Sequence, residues 1–225
     1  MLMPQEDVKV SLPEETFPPS IFTYDTREYR FRELLCEIFS VGKLENLGVG
    51  DDIDVLSCKT DQSTEFHRKF YDHFSEIRAD YLKLIENIIA PRIDEPFCYQ
   101  NVPTFRVHLP GNVAVGEFHT DEDYNHSPGE INYWVPFTQA FESNSVYIES
   151  SWGSQEFIPI RADYGDIVTF DAVQWEHGNK LNTTGQTRVS FDFRCIPESL
   201  YRPKGLKTVH AGKSLEVGDY FEWWN

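Results

Sequence analysis

The sequence predicts a mainly β chain, a sandwich or barrel buttressed by helices near its N-terminal end. Apolar residues recur at helical spacing only before residue 90. From about residue 97, short β-rich runs follow one another, punctuated by glycine, proline and asparagine. The 17 Phe and 11 Tyr favour strands over a helix bundle. The 225 residues fit a single domain, because barrels and sandwiches of this length are commonly one unit. Within it, 1–95 reads as the helical part, 96–197 as the barrel core and 198–225 as a tail.

Residues 1–20 are polar and contain Pro4, Pro13, Pro18 and Pro19, which suits an arm or at best an edge strand. Asp25 to Val41 reads as a helix: Asp25 and Glu28 have capping-box spacing, Phe31, Leu34, Leu35 and Ile38 form a stripe, and Gly42 is a natural stop. The stretch 64–89 carries the strongest helical pattern. Phe66, Phe70, Phe74, Ile77, Tyr81, Leu84, Ile85 and Ile88 recur at steps of mostly three and four, opposite Arg68, Lys69, Asp72, Glu76 and Lys83. Pro91 ends it. Strands are expected at 102–109, 115–121, 131–138, 145–150, 155–160, 166–172 and 187–196. The tail looks irregular, and its aromatics, Tyr220 to Trp224, serve either as a cover for the barrel or as the interface of a homo-oligomer.

A net charge of -17 argues against nucleic acid and anionic membrane surfaces, both of which select a positive field. Cys36, Cys58, Cys98 and Cys195 are widely spaced, without a CxxC pair, so neither a zinc site nor a disulfide framework is suggested. Residues 1–10 show no targeting pattern, and no segment approaches the roughly 18 apolar residues of a membrane helix. A cytoplasmic protein acting on a small molecule is the expectation.

His119-Thr120-Asp121 carries the chemistry. On a strand, His119 and Asp121 point to one side and Phe118 and Thr120 to the other. With His177 they make two imidazoles and a carboxylate, a set that holds Fe(II) on one face and leaves three positions open. His108, on the strand before, competes with His177 as third ligand. Further on, Arg188 and Ser190 share one face of the strand 187–196, opposite Val189, Phe191 and Phe193. An inward Arg needs an anion: either a ligand carboxylate held by two parallel bonds, or an internal partner such as Asp192 or Asp171.

HxD, then His, then Arg-x-Ser resembles the Fe(II)/2-oxoglutarate-dependent dioxygenase superfamily. Phe105-Arg106-Val107-His108-Leu109-Pro110-Gly111 and Gly116-Glu117-Phe118-His119-Thr120-Asp121 resemble more narrowly its streptomycin-biosynthesis dioxygenase-like, phytanoyl-CoA-dioxygenase-related group. Tyr124 to Pro128, Glu130 to Asn132 and Val189 to Arg194 extend the match, which spans roughly residues 99–202. The resemblance implies a double-stranded β-helix (jelly-roll, cupin-like) barrel. It implies Fe(II) on His119, Asp121 and His177, with 2-oxoglutarate and O2 as co-substrates and succinate and CO2 released. It implies Arg188 and Ser190 on the distal carboxylate of 2-oxoglutarate, and Asn132 and Arg106 as further lining of that site. The related halogenases lack the ligand carboxylate, so Asp121 favours hydroxylation or another oxidation. A cupin-like metal-binding barrel acting without 2-oxoglutarate, or a non-enzymatic binding module, remains the alternative.

Overall fold

The computed structural model describes residues 19–50, 64–114, 117–203, 205–208 and 212–224. Most of the N-terminal arm, Cys58 and the start of the expected strand 115–121 lie outside them. The described chain is mainly β, with antiparallel strands in two sheets. The larger sheet runs in the order β1 (Ser20–Thr23), β7 (Asp166–Phe170), β4 (Ile131–Pro136), β9 (Arg188–Pro197), β2 (Phe97–Gln100), β10 (Phe221–Trp224). β3 (Thr104–His108) pairs with the first half of β9, along the edge whose far end β2 occupies. The smaller sheet has β6 (Phe157–Pro159), β5 (Val146–Glu149) and β8 (His177–Asn179). No ladder between these named strands joins the two sheets.

All ten residues of β9 are buried, because β4 covers one edge and β2 and β3 the other. Strand alternation then sorts its side chains. Val189, Phe191, Phe193 and Cys195 join the main core with the helices α1 (Phe31–Phe39), α2 (Glu65–Asp72) and α3 (Phe74–Leu84). Phe31 and Tyr81 meet Phe191 edge-on at 5.5 and 5.8 Å, and Phe70 stacks on Phe105 of β3 at 4.2 Å. Each such ring removed from water contributes about 1.5–3 kcal/mol, which is why the helical stripe docks here. A second cluster, with Trp134, Ile148, Val168 and Phe170, involves both sheets.

Several expectations are corrected. The first helix starts at Phe31, not Asp25, because Asp25 caps a turn by accepting from Arg27 N and Nε. It stops at Ser40, which takes a left-handed conformation (φ 56°) before Gly42 is reached. The long helix is two, broken at His73 without glycine or proline, and the turn after α3 widens to a π-helix at Ile85–Ile89 ahead of Pro91. In the part of 115–121 that is described there is no strand: His119 makes one bridge to His177, and Asp121 opens a 3₁₀ turn through Tyr124. Two further strands form: β1, where the stretch expected as an arm or at best an edge strand ends, and β10, in the tail expected to be irregular. β1 pairs with β7, and β10 pairs with β2, with Phe221 buried and Trp224 packed on Phe97.

Candidate metal centre

Sequence and turn chemistry bring the ligands together at the edge of the smaller sheet. His177 opens β8, and the paired His119 N and O bond to His177 O and N at 2.9 Å. Gly178 permits this approach: a Cβ there would sit 3.0 Å from Phe118 Cα and 3.1 Å from the Glu117 carbonyl. Thr120 stays extended (ψ 152°) and caps the turn, with Asp123 bonding back to its N–H at 3.0 Å. The extended link turns His119 and Asp121 the same way, as a strand would have.

Asp121 Oδ1 lies 3.9 Å from His119 Nε2 and 3.8 Å from His177 Nε2, and the three donor atoms fall within 4.8 Å of one another. Each imidazole is aimed from behind. His119 Nδ1 bonds to Glu117 O at 2.7 Å and His177 Nδ1 to Trp175 O at 2.9 Å. A ring that donates through Nδ1 keeps the Nε2 lone pair for a metal. Removal from water pushes the His177 imidazolium down to about 4, against the pull of Asp121, so this ring is neutral near pH 7. Burial alone raises the Asp121 carboxyl, but the charge of Arg194, joined at low pH by protonated His177, outweighs it and holds the group well below the usual carboxylate range. Two imidazole nitrogens and one ionised carboxylate oxygen fit a divalent ion of the iron type.

A cavity of about 60 Å³ opens over the triad, between the two sheets. Arg106, Asn132 and Arg188 line it with the three ligand residues, and Ser190, outside the lining, accepts a hydrogen bond from Arg188. Arg188 is 2% exposed and donates to Asn144 O at 3.1 Å, Ser190 Oγ at 2.9 Å and Asn179 Oδ1 at 2.9 Å. Trp134 Nε1 donates to the same Ser190 oxygen at 3.0 Å. Asn132 is 5% exposed and its Oδ1 has no hydrogen-bond partner. Arg106 is met by Asp192, Nε to Oδ1 at 2.7 Å.

His108 is not the third ligand. Its Nδ1 faces Asn144 O at 3.1 Å and its Nε2 Asn112 O at 2.9 Å, with burial and the nearby Arg188 charge pushing it down to about 4. The loop 122–130 buries His126 and Glu130 against each other at 2.6 Å. Asn179 and Arg194 escaped the sequence reading, and Asp192, offered there only as a partner for Arg188, meets Arg106 and Arg194. Asp192 and Arg194 share the phase of Arg188 and Ser190 along β9, and that alternation was the available signal. Among the described residues, no helix is long and apolar enough to cross a membrane.

No family model matches the chain. HygX from Streptomyces hygroscopicus, solved with nickel and 2-oxoglutarate bound, superposes with a TM-score of 0.50 at 11% identity over 90% of each chain. SnoK, a non-haem α-ketoglutarate-dependent carbocyclase from nogalamycin biosynthesis, gives a TM-score of 0.49 at 15% identity over 92% of each chain. The likeness to HygX is one of fold. The streptomycin biosynthesis protein StrG of Streptomyces griseus is 38% identical over 199 residues, 88% of this chain and 95% of that protein. Identity of that extent across nearly the whole of both chains makes this chain a member of the StrG family.

Proposed function

We propose that the chain is a cytoplasmic, non-haem Fe(II)- and 2-oxoglutarate-dependent oxygenase that hydroxylates or otherwise oxidises a small molecule in a biosynthetic route. Its two sheets are then the halves of a jelly-roll of the double-stranded β-helix type. The observation that carries the reading is the convergence of His119 Nε2, His177 Nε2 and Asp121 Oδ1 on the cavity that Arg188 also lines. The StrG kinship and a fold shared with HygX, a protein solved with nickel and 2-oxoglutarate bound, support it.

His119, Asp121 and His177 would hold the iron. When bound, the iron supplies the oxygen chemistry. The chain's own part is to bind, orient and exclude water. Arg188, fixed in plane by Asn144, Ser190 and Asn179, would anchor the distal carboxylate of 2-oxoglutarate through a charge-assisted pair. Asn132, whose buried Oδ1 lacks a partner, would line the co-substrate site. Arg106 has Asp192 as its counter-charge and would form the opposite wall. Trp134, Phe170 and Val146 supply apolar lining that limits water.

Anaerobic protein given Fe(II), 2-oxoglutarate and O2 should release succinate, and more of it when a true substrate is added. Calorimetry with Mn(II) in place of iron should register 2-oxoglutarate binding. Arg188→Ala should lose that binding by about 10- to 100-fold, the range for a hydrogen bond to a charged group, while keeping the metal. Absence of 2-oxoglutarate binding to the metal-loaded protein would favour the metal-binding barrel acting without that co-substrate.

A further inference from the structure

The polar row of β9 continues past the proposed co-substrate anchor. Arg194, its side chain 6% exposed, sends Nη2 and Nε to one oxygen of Asp121, Oδ2, at 2.6 and 3.1 Å. The other oxygen, Oδ1, is the one 3.8–3.9 Å from the two imidazole nitrogens. The two carboxylate oxygens are thus divided between an arginine and the metal side. The guanidinium is itself held in orientation. Its Nη1 donates to Asp192 Oδ2 at 3.2 Å and lies 3.5 Å from the Tyr220 hydroxyl, and its Nε is 3.9 Å from Glu130. Asp192 is in turn fixed by Arg106, and Glu130 by His126.

We propose that Arg194 is a positioning residue that fixes Asp121 as a one-oxygen metal ligand, and that Tyr220, just ahead of β10, helps to hold it. The proposal rests on the reading of His119, Asp121 and His177 as metal ligands. A carboxylate free to turn can ligate through both oxygens, taking a position that a chelating co-substrate needs. With Oδ2 clamped, that second mode is closed. A mere counter-charge would act with the opposite sign. A cation this close repels a metal ion, so removing it would tighten metal binding.

Mn(II) calorimetry on the whole chain separates the two roles. In Arg194→Gln the Mn(II) Kd should rise by about 10- to 100-fold, the usual cost of losing an orienting partner of a ligand. Arg194→Lys should fail to rescue it, since an ammonium keeps the charge but lacks the planar fork that serves Asp121 and Asp192 together. Unchanged or tighter binding in folded Arg194→Gln, or full rescue by Arg194→Lys, would overturn the proposal. Because loss of a buried charge can prevent folding, the unmodified protein gives a separate reading. Its infrared difference spectrum on adding Mn(II) should carry the wide carboxylate splitting of one-oxygen ligation; the narrow splitting of two-oxygen ligation would sink the idea. If the unmodified protein takes up no Mn(II), the metal reading itself falls. If it does and both variants match it, only the role of Arg194 falls.

Discussion

The two faces of β9 are one residue apart and equally buried, yet they do opposite things. One carries Val189, Phe191, Phe193 and Cys195 into the helices, where rings meet rings. The other carries Arg188, Ser190, Asp192 and Arg194 toward the cavity, where each charge is answered by a hydrogen bond or an opposite charge. Burial of the first face stabilises the fold through apolar area. Burial of the second costs stability, since desolvating ions is offset only in part by pairing them. Under the proposed function that cost has a use, since a row of fixed, dry charges is preorganised to meet a metal, a co-substrate or a reacting group. Substitutions on the two faces should therefore separate stability from ligand binding.

The largest effect is expected on the apolar face. Phe191 is fully buried and meets Phe31, Tyr81, Phe137 and Phe193 at centroid distances of 5.5, 5.8, 4.9 and 6.0 Å. Phe191→Ala should destabilise the protein by about 3–5 kcal/mol in denaturant unfolding, through lost transfer energy and the void left behind. Below its transition, the folded variant should bind Mn(II) with the affinity of the unmodified chain. A metal Kd that falls apart with the packing would break the comparison, because the faces would then act as one unit.

A smaller effect comes from an imidazole on the apolar side. His67 of α2 is 1% exposed, packs edge-on to Phe105 at 5.8 Å, and bonds to Thr64 through Nδ1 while Nε2 has no partner. Burial, with Arg106 nearby, pushes its pKa from the ordinary 6.5 down to about 4. The unfolded chain binds this proton more readily than the folded one. Its contribution to stability is therefore fully present above pH 6.5 and is lost as the pH falls toward 4. The displacement from 6.5 to about 4 corresponds to about 3 kcal/mol. The stability difference between the unmodified chain and His67→Leu should shrink or reverse by up to that amount between pH 7 and pH 4. A difference that does not change with pH would mean that His67 titrates in the folded state as it does in water.

How much of this was readable in advance follows from the same alternation. Period-two spacing along 187–196 is a local property, so it exposed Arg188 and Ser190 as a pair facing away from Phe191; carried further, it reaches Asp192 and Arg194. What it cannot carry is partnership. Arg106 is expected at the co-substrate site from the family resemblance, and its charge is met by Asp192 across the β3–β9 ladder, a contact no local pattern encodes. His119 and Asp121 do converge, though through an extended link into a 3₁₀ turn rather than a strand, since both geometries separate i and i+2 in the same direction. β10 was unreadable, and β1 no more than the edge-strand option for the first residues, because a short edge strand is defined by the edge it meets. Ser20–Thr23 and Phe221–Trp224 become strands only beside β7 and β2. The break at His73 carries no glycine or proline signal, and its apolar stripe continues unbroken across it.

The smallest change tests the polar face itself. Ser190 Oγ accepts from both Arg188 Nη1 and Trp134 Nε1, at 2.9 and 3.0 Å, which uses both of its lone pairs. Its own hydroxyl proton is then left to donate, and the natural acceptor is the carboxylate that Arg188 would anchor. Ser190→Ala removes one oxygen and that donor. The 2-oxoglutarate Kd of the Mn(II)-loaded variant should rise about fivefold, the worth of one hydrogen bond of about 1 kcal/mol, with Mn(II) affinity unchanged. Unfolding free energy should fall by a comparable amount, because Arg188 and Trp134 lose a shared acceptor. If stability falls while 2-oxoglutarate binds as before, Ser190 only braces its two neighbours. The carboxylate-facing role would then belong to Arg188 alone, and the polar face of β9 would hold one anchor rather than two.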